Sequence, residues 1–249
     1  MPGLRVVDVG CGGPEAWSGV EPVTGAGLVL VRHGVFRRLA DGVPSVLDPT
    51  VAYLQRPGQE QRIAHPAGAD ACTSIGLDAA IADRFGAGGP FPMAGAADLT
   101  HRRLMARAGS GADAAELADL ATELLVAAAA TASGRDIDPP GVTTRVRRLV
   151  DDARTRLAAD PALPLDTLAA AVGVSPWYLS RVFHAATGTT VSLHRRRLRT
   201  RAALDAILDR THGLADVAAR AGFADQAHLT RSVRAETGVT PGAVRAMLR

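Results

Sequence analysis

One pattern occurs twice in this chain, and this internal repeat constrains the fold more than any other feature. Residues 165–188 and 214–238 match in their apolar, arginine and glycine positions. Gly173 corresponds to Gly222, and Gly188 corresponds to Gly238. Each copy consists of a short stretch with helical periodicity, a glycine and a second such stretch, which is typical of two helices joined by a tight turn. The sequence therefore predicts two helix-turn-helix units.

The residues around each turn support this prediction. Gly173 and Gly222 suit the positive φ of a tight corner, and Ser175 and Asp225 are good N-cap residues for the helix that follows. The stretch 191–210 between the copies predicts one helix, whose length of about 30 Å is close to the roughly 34 Å of one turn of B-DNA. We therefore expect two recognition helices that enter successive major grooves.

The distribution of charge indicates a partner for this repeat. The 249 residues have a net charge of +3. Residues 1–140 contain 11 Arg against 16 Asp and Glu, whereas residues 141–249 contain 17 Arg against 9, a net charge of +8. A basic C-terminal part favours a polyanionic partner such as nucleic acid. Within it, several arginines of HRRRLRTR (194–201) are expected to face solvent or phosphate.

The C-terminal residues resemble a known family. Residues 142–249 are similar to the DNA-binding domain of AraC/XylS-type transcriptional regulators, most specifically along ADVAARAGFADQAHLTRSVRAETGVTPGAVR (215–245). The resemblance implies a sequence-specific transcription regulator whose partner is double-stranded DNA. The residues that it places at the DNA are Trp177, Ser180, Arg181, Gln226, Ala227, Thr230 and Arg231.

These residues differ in the contacts that we expect from them. Arginine pairs with guanine through two hydrogen bonds, glutamine pairs with adenine, and alanine contacts a thymine methyl group. Arg181 and Arg231 are therefore candidates for base contacts. For Ser180 and Thr230, phosphate contact is the expectation, since it positions a protein without specifying sequence. Ala227 departs from the polar residue often found at its position in the family.

The N-terminal part predicts a different fold. Short apolar runs between glycine, proline and aspartate indicate strands up to about residue 90, and Asp41-Gly42 predicts a hairpin turn. The segment 48–66 resembles part of a cupin. The expected chain is multi-domain α+β: a cupin-like β-barrel sensor (1–95), a helical dimerisation segment (96–134), a linker (135–141) and an all-α double helix-turn-helix domain (142–249).

The resemblance also implies partners for the N-terminal part. Such a barrel often binds a small effector, and a helix after it commonly pairs with its copy in a homodimer. Leu117, Leu120, Leu124 and Leu125 form one apolar stripe, which either pairs in this way or packs on its own barrel. RNA polymerase is a further candidate partner.

Cys11, His65 and Cys72 are candidate sensor residues. Thiolate and imidazole together are typical ligands of zinc and other soft metals, so a metal effector or cofactor is one hypothesis. Two thiols also suit a redox switch. The alternative is that these residues are simply buried, as cysteines often are.

Two short motifs in the N-terminal half are similar to enzyme motifs. VVDVGCGG (6–13) is similar to the glycine-rich motif of S-adenosylmethionine-dependent methyltransferases, and LVLVRHG (28–34) to the nucleophilic histidine motif of histidine phosphatases. Proline and glycine follow the first motif, and a predicted strand follows the second motif. Each enzyme requires a helix at this point of the chain. We therefore expect no enzyme. The alternative is a catalytic N-terminal half that a basic tail localises to DNA.

The sequence also favours a cytoplasmic location. The longest apolar run, LLVAAAATA (124–132), is far shorter than the roughly 18–20 residues of a membrane span. Two cysteines do not make the disulfide framework of a small secreted domain. The sequence therefore predicts no membrane association.

Overall fold

The computed structural model describes residues 5–86, 89–132 and 142–248. The linker predicted at 135–141 lies outside these residues. The strands are β1 (Arg5–Cys11), β2 (Glu21–Pro22), β3 (Gly27–His33), β4 (Phe36–Ala40), β5 (Val43–Leu47), β6 (Val51–Gln55), β7 (Glu60–Ala64), β8 (Asp70–Gly76) and β9 (Gly89–Pro92). The helices are α1 (Ala79–Asp83), α2 (Gly95–Gly109), α3 (Ala114–Ala132), α4 (Thr144–Ala159), α5 (Leu165–Ala171), α6 (Pro176–Thr187), α7 (Val191–Asp209), α8 (Leu214–Arg220), α9 (Gln226–Thr237) and α10 (Pro241–Ala246).

The contacts group these elements into two compact units. The first, which we call the β unit, combines Pro2–Pro92 with Ala132–Arg195. The second, which we call the helical unit, combines Met93–Thr131 with Arg196–Arg249. Each unit therefore contains one copy of the repeat together with residues from the N-terminal half of the chain. The domain boundaries near residues 95, 134 and 141 stay a prediction.

The strands of the β unit form two open sheets rather than a closed barrel. One sheet has the order β1-β8-β3-β6-β9 and the other has the order β2-β7-β4-β5. The cupin-like barrel is therefore not confirmed. Three of the four edge strands contain proline, at Pro22, at Pro44 and at Pro90 with Pro92. Proline has no N–H to donate, so these edges are poor partners for the additional pairing that closure requires.

The two sheets share one apolar core. Its buried residues come from β3, β6 and β8 of the first sheet and from β4 and β5 of the second. Phe36 and Tyr53 meet edge to face across this core, with ring centroids 6.2 Å apart. The predicted hairpin is confirmed, since Asp41 and Gly42 connect β4 to β5 with φ angles of 48° and 81°.

A buried carboxylate connects the sheets to the helices on either side of the first helix-turn-helix copy within the β unit. Asp48 is fully buried after β5. Its Oδ2 accepts hydrogen bonds from Nη2 of Arg154 at 2.8 Å and from Nε at 3.1 Å. Nε2 of His194 lies 3.5 Å from the same oxygen. One carboxylate thus binds a side chain of α4 and a side chain near the start of α7.

The helical unit contains a second buried ionic cluster. Arg102 donates to Asp98 one turn earlier on α2 at 2.9 Å and also pairs with Asp205 of α7. Arg201, equally buried, pairs with Asp98 and with Glu236 of α9. These ion pairs hold α2, α7 and α9 together.

A close backbone approach accompanies this cluster. A Cβ atom added to Gly95 would lie 2.2 Å from the carbonyl oxygen of Glu236. Only glycine therefore permits the observed contact between the start of α2 and the end of α9. Leu99, one turn further along α2, is part of the apolar core that the second helix-turn-helix copy forms.

The leucine stripe of α3 is mostly covered within the single chain. Leu120, Leu124 and Leu125 are buried and Leu117 is partly buried. Val126, on another side of the helix, is exposed. Within the described ranges, no helix has both the length and the apolar character that crossing a membrane requires.

We predict that Asp48→Asn destabilises the protein by about 3–5 kcal/mol, because it leaves the buried Arg154 without its counter-charge. The measurement is urea denaturation of the full chain at neutral pH. Asp152→Asn is the matched control, since Asp152 pairs with Arg37 at an exposed position and should cost no more than about 1 kcal/mol. Equal small losses in both variants would contradict the prediction.

The difference in stability between the wild type and Asp48→Asn depends on pH in a defined direction. Burial raises the pKa of Asp48, but the charges of Arg154 and then His194 lower it by more, so the folded pKa lies below the ordinary value. The stabilisation is therefore complete above an unfolded pKa of about 4 and decreases as the pH falls below it. The gap between wild type and Asp48→Asn should narrow in strong acid.

Candidate nucleic-acid interface

The first recognition helix, α6, begins and ends at residues that suit it. The Ser175 side chain accepts a hydrogen bond from the backbone N–H of Tyr178, and Pro176 occupies the first turn. Gly173 in the preceding turn has a φ of 73°, and Gly188 ends the helix in the left-handed region. These observations confirm the capping and turn residues predicted for the first copy.

The two sides of α6 differ in burial. Leu179, Val182 and Phe183 face the core. Trp177, Ser180 and Arg181 have the i, i+3, i+4 spacing of one helix face, and none of the three is buried. Trp177 is 71% exposed, which is unusual for a large apolar side chain and typical of an interaction surface.

Arg181 contacts two aromatic rings on this helix. Its guanidinium carbon lies 5.0 Å from the ring centroid of Trp177 and 5.5 Å from that of Tyr178. Both distances are within the roughly 6 Å range of cation–π attraction. The basic group that is expected to contact a base is therefore held against the aromatic face of its own helix.

The second recognition helix, α9, repeats this design with different side chains. Asp225 accepts a hydrogen bond from the N–H of His228 at 2.6 Å, and Gly222 has a φ of 74°. Leu229 and Val233 are buried. The remaining face presents the other predicted residues, of which Gln226, Ala227 and Arg231 are exposed and Thr230 is partly exposed.

Most arginines of the basic stretch on α7 bind other groups of the protein, although the sequence suggests that several face solvent or phosphate. Arg195 donates to the carbonyl oxygens of Pro161 and Ala162, and Arg199 donates to that of Gly222. Arg197 pairs with Glu236 at 3.4 Å, and Arg201 is buried. Arg196 is the exposed arginine of the stretch.

The candidate sensor residues of the β unit lie around a residue that the sequence analysis did not identify, Asp70. His65 pairs with Asp70 through Nδ1, and Cys72 donates to the other carboxylate oxygen at 3.6 Å. Cys11 is directly opposite Asp70 in the β1–β8 pairing. Asp70 follows a Pro-Ala-Gly turn and has no spacing pattern that marks it as the centre of a cluster.

This arrangement favours packing over metal or thiol chemistry. Burial and, next, the carboxylate of Asp70 raise the pKa of both thiols, so the thiolate that a metal binds is disfavoured. Over the described part of the chain, no three His, Cys, Asp or Glu side chains converge in a way that could hold a metal ion. The sensor role of Cys11, His65 and Cys72 stays a prediction.

Most of the repeat matches a known protein family. A family model described as a helix-turn-helix domain matches residues 168–247. The chain is 30% identical over 91 residues to the probable transcription factor PqrA of Proteus vulgaris. This alignment covers 36% of the present chain and 75% of the relative.

Solved structures are also similar to this chain. The C-terminal domain of AraT, a response regulator from Geobacillus stearothermophilus, shares 24% identity with a TM-score of 0.36, covering 43% of this chain and 87% of that one. ToxT from Vibrio cholerae, in its unsaturated fatty acid-bound form, shares 8% identity with a TM-score of 0.37, covering 98% and 95%.

We predict that the two cysteines do not form a disulfide on mild oxidation. Cys11 is opposite Asp70 and Cys72 is opposite Val9, so the cysteines are diagonal neighbours, whose Cα atoms are typically about 7–8 Å apart. A disulfide requires less than roughly 7 Å. Intact mass measured under denaturing conditions should show no loss of two hydrogens, and metal analysis should find no stoichiometric zinc. Zinc that Cys72→Ser removes would instead establish the metal hypothesis.

Proposed function

Since the chain belongs to the AraC family of DNA-binding transcription regulators, we propose that it recognises specific double-stranded DNA sites through α6 and α9 and responds to an effector through its N-terminal region. The exposed face that each recognition helix presents beside a buried apolar face carries this proposal. Capping and turn geometry in both copies support it, because they leave the exposed side chains on regular, well-defined helices.

The proposed contacts divide into two kinds. Arg181 and Arg231 supply guanidinium groups that suit the paired acceptors of guanine, and Gln226 suits adenine. Ser180 and Thr230, which are only partly exposed, suit phosphate oxygens. Ala227 offers a methyl group to a thymine. Trp177 adds a large exposed ring beside Arg181.

The other parts of the proposal concern the effector, the oligomeric state, RNA polymerase and the location in the cell. The sensing role of the two-sheet region, for a small molecule of unknown identity, stays a prediction. A homodimer needs a surface other than the leucine stripe of α3, since most of that stripe is covered within one chain. Contact with RNA polymerase and a cytoplasmic location stay predictions.

The alternative of a catalytic N-terminal half has no observation in its favour. The two enzyme-like motifs lie on strands of the open sheets, with VVDVGCGG largely in β1 and LVLVRHG largely in β3. The family match concerns a transcription regulator. That the chain has no catalytic activity stays a prediction.

We expect Arg181→Ala and Arg231→Ala each to weaken binding to a preferred DNA site by about 1–3 kcal/mol and to relax the preference at one base pair. Binding is measured by fluorescence anisotropy on a duplex selected from a random library and on its single-base variants. Arg84→Ala removes the same charge from an exposed position near α1 and serves as the control. Equal losses on selected and random DNA would reduce both arginines to phosphate contacts.

We also expect DNA protection in two patches about one helical turn apart for each bound chain. The prediction follows from two recognition helices in one chain and from the 19 residues of α7 between them. Hydroxyl-radical footprinting provides the measurement. Trp177→Ala should weaken one patch and leave the other. A single patch that Trp177→Ala does not change would assign the first copy a structural role.

A further inference from the structure

We propose that Tyr178 is a positioning residue that orients Arg181 for base recognition, an arrangement that the second recognition helix does not provide for Arg231. This inference rests on the proposed function. It concerns a side chain outside the predicted DNA-contact set and follows from two aromatic rings of α6 that lie beside one guanidinium group.

The helix brings three side chains together by its own periodicity. Trp177 and Arg181 are four residues apart and Tyr178 and Arg181 are three apart, the two spacings at which helix side chains meet. The guanidinium carbon of Arg181 is within 5.0 and 5.5 Å of the two ring centroids. It therefore has aromatic neighbours at both of these spacings.

Tyr178 is the better anchored of the two rings. Trp177 is 71% exposed, whereas Tyr178 is partly buried. The backbone N–H of Tyr178 also donates to the Ser175 cap. The partial burial of the Tyr178 ring limits the positions available to Arg181, whereas the exposed Trp177 remains available to DNA.

Restricting Arg181 before binding affects recognition more than it affects attraction to DNA. A long exposed arginine loses rotamer freedom when it forms two hydrogen bonds to guanine, and a side chain already held in place loses less. Cation–π contact at exposed sites corresponds to about a 2- to 5-fold effect on an equilibrium constant. Phosphate attraction depends on charge, which Tyr178 does not change.

The second recognition helix lacks this arrangement. The residues that correspond to Trp177 and Tyr178 are Ala227 and His228. The ring of His228 packs against Phe223, with centroids 5.2 Å apart. Within residues 5–86, 89–132 and 142–248, Arg181 is the recognition-helix arginine that has cation–π contacts. Arg231 therefore reaches DNA with fewer restrictions on its side chain.

The test compares Tyr178→Leu with Tyr178→Phe in the full chain. Binding is measured on a duplex that the wild type selects from a random library, on its single-base variants and on random DNA. Tyr178→Leu should weaken binding to the selected duplex about 2- to 5-fold and relax the same base pair that Arg181→Ala relaxes. Tyr178→Phe, which keeps the ring, should behave like the wild type.

Two controls separate positioning from loss of structure. In an Arg181→Ala background, Tyr178→Leu should have no further effect on base preference, because the group that it orients is absent. His228→Leu, at the matching position of α9, should leave that base preference unchanged. Thermal denaturation of each variant reports whether the first copy remains folded.

Three results would overturn the inference. The first is an equal loss of binding affinity for selected and random DNA in Tyr178→Leu. The second is an effect of Tyr178→Leu on base preference that is as large in the Arg181→Ala background as in the wild type. The third is a loss of base preference in Tyr178→Phe. In each case, the proposed function would still hold if the wild type binds DNA with sequence specificity. A wild-type chain without any sequence preference would contradict the proposed function itself, and this inference with it.

Discussion

The structure depends on a carboxylate, Asp48, that is buried and charged. Removing a carboxylate from water is costly, and only close partners of opposite charge make it compatible with folding. Arg154 of α4 supplies two hydrogen bonds, and His194 lies beside them near the start of α7. Helix α4 in turn packs against α6. The position of a recognition helix therefore follows from a charge that belongs to the sheet region.

The local parts of both helix-turn-helix copies follow from the sequence, and the reason is physical. The glycines at 173 and 222, the caps at 175 and 225 and the apolar spacing act over a few residues, so a pattern in the sequence is enough to predict them. The way in which the strands assemble into sheets is harder to predict. Short apolar runs correctly indicated strands, but barrel closure depends on which edges meet, and the consequence of proline at those edges is clear only once the strand order is known.

Contacts between residues far apart in sequence account for what the sequence did not predict. Asp70 brings His65 and Cys72 together, yet its carboxylate resembles any other in the sequence. Asp48 and Arg154 are 106 residues apart, and no spacing rule connects them. Tyr178 is outside the predicted DNA-contact set, and the role that we propose for it follows from the distance of its ring from Arg181.

Contacts between residues far apart in sequence also determine what the basic C-terminal region can offer to DNA. Its net charge of +8 suggests a broad surface for DNA, but arginines of α7 and α4 are already engaged inside the protein. Arg201 and Arg154 are buried with carboxylates, and Arg195 and Arg199 bind backbone carbonyl groups. Such groups fix helices, and their contribution to attracting phosphates is reduced by their partners. Under the proposed function, specific binding depends more heavily on the exposed arginines of α6 and α9, where one helix holds its arginine against two aromatic rings and the other does not.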